Sequence, residues 1–101
     1  MTNKIHLIID KELADIFPGF FENRKLDLEK IEKYLTQCNF NQIKFISHQM
    51  AGNCGGYGMP HLGLLAAKME ILASNQNINS LQETLQEMKS YFQRIEISYG
   101  D

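Results

Sequence analysis

The chain has 101 residues, with 10 basic and 12 acidic side chains and a formal net charge of −2, so it carries no bulk positive field of the kind that draws proteins to nucleic acid. Hydrophobic residues at 44% and charged residues at 22% fit one soluble domain over residues 1–101 with a single modest core. No apolar run reaches the length of a membrane span, and the opening MTNKIHLIIDKE lacks the shape of a signal peptide. Cys38 and Cys54 have no motif spacing, which points to reduced thiols and a cytoplasmic protein.

Taken in chain order, IHLII (5–9) reads as a short extended lead-in whose apolar residues pack on the domain. Asp10 is placed to cap a short first helix, KELADIF, which Pro18 should end or kink. Phe17, Phe21, Arg24, Leu28, Ile31 and Leu35 then fall on one helical face, broken once by Arg24. That helix should stop near Cys38, because Asn39 followed by Gln42 has the form of an N-cap. The next helix carries Ile43, Ile46, Met50 and Cys54 on its apolar side, and the glycine cluster ends it, with Gly58 suited to a left-handed cap.

Pro60 sits where a first-turn proline belongs, ahead of a stripe of Leu62, Leu65, Met69 and Leu72. SNQNINS is a polar turn with Asn77 or Asn79 as the next cap. Leu81, Leu85, Met88, Phe92 and Ile95 form the last stripe. Four amphipathic helices with short connections predict an all-α fold, an antiparallel up-down four-helix bundle with a short extra N-terminal helix.

The stretch ISHQMAGNCGGYG holds a histidine and four glycines, and a glycine inside a helix costs about 1 kcal/mol relative to alanine. At about 100° per residue, His48 points away from Ile46 and Met50, onto the face opposite the apolar stripe. Lys44 and Phe45 precede it by one turn, Ala51 and Gly52 come one turn after it, and Gly55 two turns after. Periodicity alone favours a solvated surface histidine beside a fraying helix end. It also leaves the surface beyond that histidine nearly bare.

The run H-Q-M-A-G-x-x-x-x-x-G-x-x-x-L, with K-M-E after it, resembles the signature of histidine-containing phosphotransfer (HPt) domains. In that signature His48 stands at the phospho-accepting position, with Met50, Gly52, Gly58 and Glu70 at the family's other motif positions. The upstream IFPGFFENRKLDLEKIEKYL is similar to a bacterial subgroup that reads PGFLxNRxxDxxxL, and the resemblance spans residues 13 to 72. It implies a protein that takes a phosphoryl group from a receiver-domain aspartate and passes it to another receiver. The implied partners are response-regulator receivers and a hybrid sensor histidine kinase, the receiver bringing the Mg²⁺. The chain itself is expected to need no cofactor and to act as a monomeric carrier, not an enzyme, since no kinase ATP-binding motif or P-loop is present.

By the same resemblance, Glu70 orients the imidazole, and the surface offered to a partner comprises Lys44, Phe45, Gln49, Ala51, Gly52, Gly55 and His61. His61 stands either at the rim of that surface or merely exposed near a helix start. The family usually has lysine where this chain has Ala51. Lys44 lies on a similar azimuth but leans away from the ring, which makes it a poor replacement. The departure raises a rival reading, a degenerate module that docks receivers or kinases without efficient transfer; a purely structural helical module is more distant. His48 and Cys54 lie about 240° apart around the helix, so a metal site is not expected. Arg24 and Asp27 have the spacing of a local structural pair.

Overall fold

The computed structural model describes residues 3–100. Four helices carry the fold: α1 (Phe17–Thr36), α2 (Phe40–Asn53), α3 (Pro60–Ser74) and α4 (Ile78–Arg94). Each helix packs on its neighbour in the chain, and α4 closes the set against α1. The core between them holds Leu28, Ile31, Ile43, Met50, Leu62, Met69, Leu81 and Met88, all nearly or fully excluded from solvent. Apolar burial of this kind drives the assembly at about 25 cal/mol per Å².

The helix ends share a repeated local design. α1 and α3 each end on a left-handed non-glycine residue, Cys38 (φ 53°) and Gln76 (φ 54°). The next residue, an asparagine in both cases, donates its N–H back to the helix, Asn39 to the Tyr34 carbonyl at 2.9 Å and Asn77 to the Leu72 carbonyl at 3.0 Å. The same two asparagines start the next helices, Asn39 Oδ1 accepting from the Gln42 N–H and Asn77 Oδ1 from the Ser80 N–H. One residue therefore closes one helix and opens the next. Asn77, and not Asn79, is the cap.

The all-α expectation needs correction. Residues Ile5–Asp10 form a strand, β1, and residues Ile95–Gly100 form a second, β2, paired in parallel with Ile5 opposite Ile95 and Asp10 opposite Gly100. The last helical stripe, ending on Ile95, is one residue too long, because α4 ends at Arg94 and Ile95 is already extended. Ile9 is fully buried, with Leu7, Ile95 and Ile97 half-buried against the core, so one face of the pair is a lid on the bundle. Its other face carries His6, whose Nε2 lies 3.2 Å from Ser98 Oγ, and the exposed Ile8.

The N-terminal region differs too. Asp10 does cap, accepting from the Glu12 N–H at 2.9 Å, but the element it caps is a single 3-10 turn, Lys11–Leu13, rather than a helix over 11–17. Pro18 does not end that element; it sits in the first turn of α1, where its missing N–H costs nothing. This shift in the start also changes the buried aromatics, since Phe20 is buried and Phe21 only partly so.

Candidate functional site

α2 positions the histidine. Its apolar face, Ile43, Ile46 and Met50, is buried, and Ser47 is buried beside it, which turns His48 outward with 75% of its side chain exposed. α3 supplies the partner group. With Pro60 in its first turn and small buried residues Gly63 and Ala66 along it, α3 lies close against α2. A methyl group added at Gly63 would reach within 3.5 Å of Cys54 Cβ.

That close approach brings Glu70 Oε2 to 3.0 Å from His48 Nδ1. An ionised carboxylate can only accept, so Nδ1 carries the ring proton and donates it to Glu70. In the neutral ring Nε2 is then the nitrogen with the free lone pair. The pair tethers the imidazole at the surface, and the neutral form of the ring is the one in which imidazole is a nucleophile.

Around the ring, Lys44, Phe45 and Gln49 are exposed, as are Gly52 and Gly55, while Ala51 is partly covered. Phe45 leaves 59% of its surface in solvent, unusual for phenylalanine. A methyl group added at Gly52 or at Gly55 would meet nothing within 4 Å. Packing inside this chain therefore does not demand glycine at either place; the space is open outward. A depression of about 260 Å³ lies on the other side of the ring, lined by Asn41, Lys44, Phe45, His48 and Glu70. Asn41 has no distinguishing signal in the sequence beyond its position two turns before His48.

His61 lies apart from Glu70 and outside the lining of the depression. Nine residues separate it from Glu70, which places it about half a turn away around α3 and about 13 Å along it. It is exposed, with its ring 5.0 Å from that of Tyr91 on α4. Among the described residues, no three His, Cys, Asp or Glu side chains are grouped to hold a metal ion.

The glycine-rich connection between α2 and α3 is anchored by groups that the helical pattern does not reveal. Tyr57 stacks on Phe20, with centroids 4.1 Å apart and planes 6° from parallel, and the Arg24 guanidinium lies 4.8 Å from the same Phe20 ring. Arg24 also donates to Asp27 at 2.7 Å, the pair that three-residue spacing suggests. Gly58 holds φ 89°, and a methyl group there would strike Ile9 Cδ1 at 2.9 Å. It ends the short 3-10 turn Gly55–Tyr57 rather than α2 itself, whose last turn closes on Cys54. Cys54 is a buried hydrophobe, its thiol pKa pushed up to about 11, chiefly by burial.

No helix among the described residues is long and apolar enough to cross a membrane. Comparison with curated proteins found no match, and comparison with solved structures found none. The family model described as Hpt domain matches residues 18–97, which takes in the four helices apart from Phe17, together with His48 and Glu70. With that match over most of its length, the chain belongs to the Hpt domain family.

Proposed function

We propose that this protein is a phosphorelay intermediate in which His48 accepts a phosphoryl group from a receiver aspartate and hands it to a second receiver. Membership in the Hpt family supports a role in phosphorelay signalling alongside receiver domains and kinases. The finer reading rests on one observation: an exposed imidazole whose Nδ1–H is engaged by Glu70, leaving Nε2 facing solvent.

In the step we infer, the Nε2 lone pair forms a bond to phosphorus while the phosphorus–oxygen bond to the receiver aspartate breaks. The bonding electrons leave with the aspartate carboxylate. The ring becomes cationic, and its Nδ1–H keeps donating to Glu70, whose negative charge offsets the charge that develops. Such a transfer is mostly positioning and charge stabilisation, with attacking and leaving atoms in line. The receiver supplies the Mg²⁺, and the open ground over Gly52 and Gly55 admits its active site. The reading takes the helices as an antiparallel up-down bundle, favoured by the short connections at 37–39 and 75–77, and takes the protein as a cytoplasmic monomer.

Ala51 favours a second reading, a module that docks receivers or kinases without efficient transfer, because no cation stands one turn after His48. Incubation with a phosphorylated hybrid kinase from the same genome, and mass mapping of the product, separates the two. Modification at His48 that is acid-labile and base-stable supports the carrier. Tight binding with no modification supports the docking module.

A further inference from the structure

We infer that Lys44, acting from the turn before His48, is the cation that holds the phosphoryl group on this protein. The inference rests on the phosphorelay reading above and concerns which residue of this chain meets the transferred charge.

The direction in which the ring leans decides the matter. Side chains on a helix point back toward its N-terminus, so each covers the turn before its own Cα. His48 therefore leans over Lys44 and Phe45, not over Ala51 and Gly52. The depression beside the ring agrees, because its walls are Asn41, Lys44, Phe45, His48 and Glu70, with no residue from the glycine side. In the sequence Lys44 is a poor replacement because its own side chain leans away, but the packed helices set it with His48 and Glu70 in the wall of one depression.

The charges around the ring sharpen the point. Glu70, on Nδ1, is the one carboxylate in the depression, and it would repel a phosphoryl dianion seated on Nε2. Lys44 is the one cation there, and among the described residues it forms no ion pair, with Glu70 or with any other group. An ammonium on a flexible four-carbon stem, exposed and unengaged, is able to turn toward Nε2 without breaking an existing contact. Asn41, one turn further back, adds an amide donor to the same wall.

The test uses the full chain with phosphoramidate as a small phosphoryl donor, so that no receiver surface contributes. In that reaction the Nε2–phosphorus bond forms as the phosphorus–nitrogen bond of phosphoramidate breaks, and ammonia departs with the bonding pair. Lys44→Gln is expected to slow labelling of His48 about two- to fivefold, the range of a partly exposed charge contact. Its rate should also lose most of its dependence on salt, while Lys44→Arg keeps both rate and salt dependence. The phosphorus resonance of the labelled protein supplies a readout that a structural role would not move. With Lys44 present its pH midpoint should lie about 0.3–0.7 unit lower than in Lys44→Gln, the same factor expressed as a pKa. Equal rates and equal midpoints in wild type and Lys44→Gln, with His48 labelled in both, overturn the inference and leave the phosphorelay reading standing. A wild-type chain that labels everywhere but His48 overturns that reading instead.

Discussion

Glu70 Oε2 lies 3.0 Å from His48 Nδ1, joining two helices across 22 positions of sequence. The carboxylate is mostly covered, with 28% of its side chain exposed, whereas the imidazole stands in solvent at 75%. A hydrogen bond to an ionised carboxylate favours the ring form that carries its proton on Nδ1.

Glu70→Ala should therefore leave the bundle folded but release the tautomer. Nitrogen-15 spectra of the His48 ring report this directly: the wild type should show a protonated Nδ1, and the variant a mixture. Transfer should slow roughly fivefold, taking about 1 kcal/mol for a hydrogen bond to a partly exposed charge. Glu70→Gln, whose amide oxygen still accepts, should keep most of the tautomer preference. An unaltered ring spectrum in Glu70→Ala would show that the carboxylate does not orient the imidazole.

Gly52→Gln places a side chain in open ground, since nothing lies within 4 Å of a methyl group built there. Glutamine is the better helix former, so thermal stability should hold or rise, by about 0.5 kcal/mol. Transfer from a receiver should slow, while labelling by a small donor stays unchanged. That contrast isolates docking from chemistry. Unaltered receiver transfer would mean that the partner does not approach over Gly52.

Gly58→Ala tests the connection behind the site. The position holds φ 89°, and the new methyl group would meet Ile9 Cδ1 at 2.9 Å. A left-handed non-glycine residue costs about 1–2 kcal/mol, which lowers Tm by about 4–16 °C in a domain of this size. Ile9→Val in the same chain should recover part of the loss by relieving the clash, but not the part due to φ. A Tm equal to that of wild type would contradict both arguments.

Ala51→Lys adds a cation one turn after His48. Lysine there leans back toward the ring, so initial transfer from one receiver should rise about two- to fivefold. The gain should shrink at high ionic strength, because the position is partly exposed and a lysine head group there would reach solvent. A slower variant would point to a partner whose own basic surface occupies this spot.

Much of this architecture is legible in the sequence because helices declare themselves locally. Ile43, Ile46 and Met50 recur at helical spacing and are all buried, which by itself turns His48 outward. The asparagine at 39 has its partner three residues away, within reach of a short pattern. The strand pair is hidden for the opposite reason. Its two halves, 5–10 and 95–100, meet across nearly the whole chain, and nothing local to IEISYG says which strand it will join. Phe20 and Tyr57 are equally silent, since their stacking depends on how the α2–α3 connection folds back on α1. The His48–Glu70 bond belongs to both classes: the resemblance to the HPt signature implies the pair, while the depression beside it, with Lys44 and Asn41 in its wall, emerges only once α2 and α3 are packed.

The central claim is that His48 carries the phosphoryl group, and one measurement meets it head-on. Wild type and His48→Gln are each incubated with a phosphorylated receiver, checked for fold by circular dichroism, and mapped by mass spectrometry under base-stable conditions. His48 faces away from the buried stripe, so both chains should give the same helical spectrum. An acid-labile phosphoryl group is expected on His48 in the wild type and none on the variant. A folded His48→Gln chain that accepts phosphate as readily as the wild type would contradict the claim.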